Sequence, residues 1–114
     1  MRIYPRTKWS NTATSEEQVE HIYSEVMEVV TEECNVIHGT TPDERAAAME
    51  RRDLEVSDLE HSIQTYWDCR AREGADVDTI RQKVIEKNRA RSYYPEGGCA
   101  DGNADDTRQT STGS

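Results

Sequence analysis

Between Val19 and Ile37 the apolar residues fall at every third or fourth position: Val19, Ile22, Tyr23, Val26, Val30, Cys34 and Ile37. That spacing winds into a stripe along an α-helix and cannot line one face of a strand, whose side chains alternate with a period of two. No other stretch alternates as a strand would, so the sequence predicts an all-α fold. Thr14 or Ser15 supplies an N-cap with Glu17 or Gln18 three residues on, and His38-Gly39-Thr40 supplies the stop. Thr41-Pro42-Asp43-Glu44 is a second start, with Thr as N-cap, Pro at the first helical position and Glu closing a capping box.

From Pro42 the pattern stays helical to about Glu73 and is ended by Gly74. The stretch Ala46–Ala48 lacks the amphipathy of Leu54–Trp67, which predicts a short helix followed by a separate one, or a single bent helix. Asp76 or Asp78 caps a last helix that carries Val77, Ile80, Val84 and Ile85 and fades by Ser92. The expected layout is an irregular segment over 1–14, a bundle of about four helices over 15–95, and a tail over 96–114. The tail's Gly, Ser, Thr, Asn and Asp content predicts disorder.

At 114 residues the chain has the size of one domain. Only 33% of it is hydrophobic and Phe is absent, so a core built by one protomer is thin. The expectation is a bundle completed by oligomerisation, as a homodimer or homotetramer. A net charge of -9 argues against a nucleic-acid partner, which needs a basic surface. No run approaches the roughly 20 apolar residues of a membrane span, and residues 1–9 hold no apolar stretch suited to a signal peptide. A cytoplasmic protein with no membrane partner is expected. Cys34, Cys69 and Cys99 form neither a disulfide framework nor a metal-spaced cluster.

The charge is polarised. Residues 15–37 hold seven acids and no Lys or Arg, whereas residues 79–95 hold Arg81, Lys83, Lys87, Arg89 and Arg91 against Glu86. Such runs are either solvated helix faces or a carboxylate cluster for a cation accompanied by basic groups for phosphates. Two acidic pairs sharpen the second reading: Glu25-x-x-Glu28 and Glu55-x-x-Asp58. Residues i and i+3 are neighbours on a helix, so each pair can aim two carboxylates at one point. Four such groups suit Mg²⁺ or Mn²⁺. Stepped at about 100° per residue, Glu55 and Asp58 fall inside the apolar arc of Leu54, Leu59, Ile63, Tyr66 and Cys69. Charges turned inward are costly unless paired or metal-bound. Glu25 falls at the margin of its helix's apolar arc and Glu28 nearly opposite its centre. Glu33 lies on the apolar side as a salt-bridge member or an alternative ligand. Cys34 and Cys69 are expected as core fillers, and Trp9 either packs on the bundle or edges the pocket. His61, three residues after Asp58, lacks the second carboxylate-x-x-His motif of a di-iron site.

At these pairs and at Lys87-Asn88-Arg89-Ala90-Arg91-Ser92-Tyr93-Tyr94, the sequence resembles the MazG-like nucleoside triphosphate pyrophosphohydrolases of the all-α NTP pyrophosphatase group. The hallmark is E-x-x-E followed by E-x-x-D, here Glu25-Val-Met-Glu28, 26 intervening residues, and Glu55-Val-Ser-Asp58. The resemblance covers roughly residues 15–95. It departs from the pattern at Ser24, where many members carry an acid. It implies hydrolysis of a (deoxy)nucleoside triphosphate to monophosphate and pyrophosphate, with Mg²⁺ on Glu25, Glu28, Glu55 and Asp58. Glu25 or Glu28 would act as general base, being expected as the less enclosed pair. Lys87 and Arg91 would hold phosphate oxygens, Asn88 a base or sugar edge, and Tyr93 or Tyr94 would stack on the base. The alternatives are a phosphoribosyl-ATP pyrophosphohydrolase-like enzyme and a non-catalytic acidic helical module that binds a basic partner or oligomerises.

Overall fold

A computed structural model describes residues 2–95, which form three α-helices and one short 3₁₀ turn with no strand among them. The expected tail and Cys99 lie outside the described residues. The helices are α1, Ser15–His38; α2, Pro42–Arg72; and α3, Val77–Ala90. No helix here is long and apolar enough to cross a membrane. The chain divides into two units, Met1–Ala75 and a second beginning at Asp76.

α1 starts as the sequence predicts. Thr14 Oγ1 accepts from the Glu17 N–H at 3.1 Å, and Glu17 Oε1 accepts from the Thr14 N–H at 2.9 Å, the two halves of a capping box. At α2 the Thr41 hydroxyl likewise accepts from the Glu44 N–H at 3.1 Å. Glu44 then reaches one residue further back than expected, to the Thr40 N–H and hydroxyl. Of the two arrangements expected after Pro42, separate helices or a single helix, the structure has one helix of 31 residues. Ala46–Ala48 holds it together, because alanine is the strongest helix former and no Gly or Pro interrupts the run. The count is therefore three helices rather than about four.

α1 and α2 form an antiparallel hairpin. Near the connection Arg51 Nε pairs with Glu32 at 3.0 Å and Arg52 NH1 with Glu33 at 2.6 Å, while at the far end the Ser15 N–H donates to Glu73 Oε2 at 2.9 Å. Glu33 is thus a salt-bridge member. The connection is short because Gly39 passes against α2: a Cβ there would lie 2.7 Å from Arg45 Cγ. Gly74, at φ 100°, follows the end of α2 in a conformation that favours glycine.

The seam between α1 and α2 is not the apolar stripe. On α1 the buried residues are Gln18 and Glu25, with Ile22, Val29, Glu32, Glu33 and Val36 half-buried. Val19, Tyr23, Val26, Val30 and Ile37 are exposed on the protomer, and so are Leu54, Val56 and Ile63 on α2. The contact stripe is rotated by about one residue, roughly 100°, from the stripe that hydrophobicity marks. Cys69 is fully buried, but Cys34 is exposed, because it lies on that outward stripe.

Residues 2–13, expected as irregular, run as a strap along α2 and hold the 3₁₀ turn Lys8–Ser10. The Tyr4 ring stacks on His61 at 4.8 Å between centroids and its hydroxyl donates to Glu60 at 2.9 Å. Ser10 Oγ donates to Asp68 at 2.7 Å, the Cys69 thiol donates to the Trp9 carbonyl at 3.3 Å, and Arg72 donates to the Ala13 carbonyl. In the second unit, α3 is capped by Asp76, whose side chain accepts from the Thr79 N–H at 3.1 Å. It buries none of its residues.

Candidate metal centre and adjoining cavity

The rotated seam places acids where a hydrophobic core would otherwise form. One carboxylate oxygen each from Glu25, Glu28 and Glu55 lie within 4.8 Å of one another. Enclosure does not follow the motif pairs. Glu25 is buried (9% exposed), Glu55 half-buried, and Glu28 and Asp58 exposed, so each pair supplies one inner and one outer group. The expectation that Glu25 and Glu28 form the less enclosed pair, with Glu55 and Asp58 turned inward together, is corrected accordingly. The cause is the same one-residue rotation, which carries Glu25 from the margin of the apolar arc to the middle of the contact stripe.

Glu25 Oε1 and Glu55 Oε1 are both buried without a hydrogen-bond partner. Burial pushes the Glu25 carboxyl above its ordinary value, the charges of Glu28 and Asp58 add to this, and His21 opposes it. His21 Nε2 stands 3.5 Å from Glu25 Oε2. The Glu55 carboxyl is also raised, first by a carboxyl–carboxylate hydrogen bond with Glu28, then by desolvation and by the charges of Glu28, Asp58 and Glu25. Asp58 stands outside the tight three-oxygen group yet raises both inner acids and lines a cavity with Glu25. One turn away the pattern reverses, and Glu32 and Glu33 each have an arginine. The described ion pairs give no Lys or Arg to Glu25, Glu28 or Glu55. Unpartnered buried oxygens on mutually repelling acids form a donor set that fits a hard divalent cation. Ser24, at the position of the missing acid, turns back on its own helix and donates to the His21 carbonyl at 2.7 Å.

Two cavities lie on the strap side, and the smaller one adjoins the acids. One of about 160 Å³ is lined by Glu25, Asp58, His21, Gln18 and Trp9 among others. The second, about 440 Å³, is lined by Trp9, Thr12, Ala13, Glu17, Gln18 and His21. Trp9, Gln18 and His21 belong to both walls. Sequence reading offered Trp9 as a pocket edge and Gln18 only as an alternative capping-box residue of α1, and it gave His21 no functional role.

Lys87, Asn88, Arg91 and Tyr94 belong to the second unit. Lys87 and Arg91 are exposed one turn apart at the end of α3, Asn88 and Tyr94 are half-buried, and the Arg91 guanidinium lies 5.9 Å from the Tyr93 ring centroid. The Asn88 carbonyl accepts from the Tyr93 N–H at 2.9 Å and Ser92 turns at φ 61°, closing the helix end into a compact basic and aromatic knot. No family model, no curated protein and no solved structure matches this chain.

Proposed function

We propose that the protein is a Mg²⁺-dependent nucleotide pyrophosphohydrolase of the MazG-like type, converting (deoxy)nucleoside triphosphates to monophosphate and pyrophosphate. The observation that carries this reading is the group of Glu25, Glu28 and Glu55, with two buried oxygens unpartnered and no Lys or Arg given to it among the described ion pairs. An acidic helical module that only oligomerises has no use for such a group, since its acids gain by facing water or arginine. The ordered motif set, from Glu25-x-x-Glu28 through Glu55-x-x-Asp58 to Lys87-Asn88 and Arg91, adds the substrate class.

Glu25, Glu28, Glu55 and Asp58 would hold the metal, and the metal would supply neutralisation of phosphate charge and a more acidic water. Glu28, exposed beside Glu25 and Glu55, is the acid best placed to take a proton from a water entering from solvent. Glu25, buried and raised, serves better as a ligand than as an accessible base. On the second unit, the resemblance assigns Lys87 and Arg91 to phosphate oxygens, Asn88 to a sugar or base edge and Tyr94 to a base face. The outward stripes of α1 and α2 would be covered in a homodimer or homotetramer.

Incubation with a panel of NTPs and dNTPs plus Mg²⁺, reading monophosphate and pyrophosphate, tests the activity. Turnover is expected for at least one nucleotide and is expected to vanish in Glu55→Gln. Absence of turnover on every nucleotide, or equal turnover by the variant, sinks the assignment. Calorimetric titration tests the centre separately: Glu28→Gln and Asp58→Asn should each weaken Mg²⁺ or Mn²⁺ binding.

A further inference from the structure

A histidine continues the acidic cluster along each helix of the hairpin. His21 stands one turn before Glu25 on α1, and His61 three residues after Asp58 on α2. All four line the cavity of about 160 Å³. The two histidines are not equivalent. His61 Nε2 lies 3.3 Å from the Pro5 carbonyl oxygen, where an N–H is the favourable state, and its ring stacks on Tyr4, so the strap occupies it. His21 Nε2 instead faces Glu25 Oε2 at 3.5 Å. That is beyond the roughly 2.7–3.2 Å of an N–H···O hydrogen bond. It matches the separation of two ligands on one ion: metal–nitrogen and metal–oxygen bonds of about 2.1 Å at a tetrahedral angle put the donor atoms about 3.4 Å apart. Residues i and i+4 on one helix face are also a spacing at which helices chelate metals. Glu25 adds an independent observation. It is 9% exposed, and its Oε1 is buried with no hydrogen-bond partner.

We infer that His21 and Glu25 chelate a divalent transition ion such as Co²⁺, Ni²⁺ or Zn²⁺, with Asp58 supplying a third ligand from α2 by a turn of its exposed side chain. This site goes beyond the Mg²⁺ reading above and shares Glu25 and Asp58 with it. The tight group of Glu25, Glu28 and Glu55 does not include His21, so the nitrogen marks a second position on the other side of Glu25. Mg²⁺ takes oxygen donors, whereas imidazole suits zinc, nickel and iron, so that one nitrogen separates the two classes of ion. The cavity has room for the ion and the water that completes its shell. The His21 side chain is half exposed, which gives the ion an entry from solvent.

Calorimetric titration of the tag-free full chain with Co²⁺ and with Mg²⁺, together with the visible absorption of the Co²⁺ complex, tests the site in wild type, His21→Gln, His61→Gln and Glu25→Gln. His21→Gln should weaken Co²⁺ binding by at least about tenfold and change its absorption bands, since loss of a ligand costs no less than the roughly 10–100-fold that loss of an outer partner costs. Mg²⁺ binding should stay within about twofold in the same variant, because an imidazole contributes little to it. His61→Gln should leave Co²⁺ binding within about twofold of wild type, and Glu25→Gln should weaken both ions. If His21→Gln alters the helical circular dichroism, His21→Ala, with the better helix former, takes its place. Failure of Co²⁺ to bind, or binding indifferent to His21, overturns the site. Co²⁺ held by the cysteine thiols would survive Glu25→Gln, and that result overturns it too. Mg²⁺ binding with His21-indifferent Co²⁺ binding removes this site alone. Co²⁺ binding through His21 without Mg²⁺ binding removes the Mg²⁺ centre and leaves this site standing.

Discussion

Asp68 fastens the strap to α2, and its removal should cost the first unit a measurable share of its stability. The carboxylate is 7% exposed and receives both Arg2 guanidinium nitrogens at 2.8 Å, Ser10 Oγ at 2.7 Å and Arg6 at 3.5 Å. The Arg2 hydrogen bonds, opposed by burial and helped by Ser10 and the charges of Arg2 and Arg6, pull its pKa from 3.8 to about 2. At about 1.36 kcal/mol per unit, that difference amounts to roughly 2 kcal/mol of folding free energy. It is an upper figure, because the arginine side of the contact is open to water and salt. The folded value lies below the unfolded one, so this stability is present above 3.8 and is lost as pH falls toward about 2. Urea denaturation followed by circular dichroism should show Asp68→Asn less stable by about 1–2 kcal/mol at neutral pH, with a shallower loss than wild type on acidification. A change below about 0.5 kcal/mol, the size of an ordinary surface substitution, would refute the role given to the contact.

The acidic cluster of Glu25, Glu28 and Glu55 has the opposite pH signature. The folded values of Glu25 and Glu55 are raised, so their contribution is full below the ordinary value of 4.5 and is lost as pH rises through the raised values. In EDTA, Glu25→Gln and Glu55→Gln should therefore raise the melting temperature at neutral pH, while in Mg²⁺ both should lose the metal-induced gain that wild type shows. A melting temperature lowered by both in EDTA contradicts the repulsion described. Val26→Glu with Val30→Glu, on the outward stripe of α1, should shift a wild-type oligomer toward monomer in light scattering with the helical signal kept. Gly74→Ala should cost about 1–2 kcal/mol in chemical denaturation, because φ 100° is unfavourable for a side chain with a Cβ.

Helix starts and stops were legible because they are local chemistry. Thr14 with Glu17, Thr41 with Pro42, and Gly74 act within four residues of where they stand. No joint divides α2 near Ala46–Ala48, where separate helices and a single helix were both open, because a loss of amphipathy marks a change of neighbours, not a break in backbone hydrogen bonding. The motif acids could be found by spacing, and three of the four gather. Their order of burial could not, since it depends on which face α1 turns to α2, and hydrophobicity pointed about one residue away. The strap was invisible for a different reason. Its order comes from contacts more than 50 residues apart, such as Arg2 with Asp68 and Tyr4 with Glu60. Nothing local in Pro5 through Thr14 announces them.

The polar seam is difficult to account for by stability alone. Buried ionic groups are often replaced by well-packed apolar residues at no cost, and this chain has Val19, Val26 and Val30 one position away from where such packing would serve. It places them outward and puts Gln18, Glu25 and Glu55 inward. It also distinguishes among its acids: Glu32 and Glu33 receive Arg51 and Arg52, while the next acids along the same helix receive none. A seam selected only for solubility or register would neutralise all of them, since arginines are already present on α2. Gln18 and Glu25 lie two turns of α1 apart on one stripe and line the same cavity of about 160 Å³. Buried oxygens of Glu25 and Glu55 left without a hydrogen-bond partner are what the proposed metal centre requires and what hairpin stability alone does not.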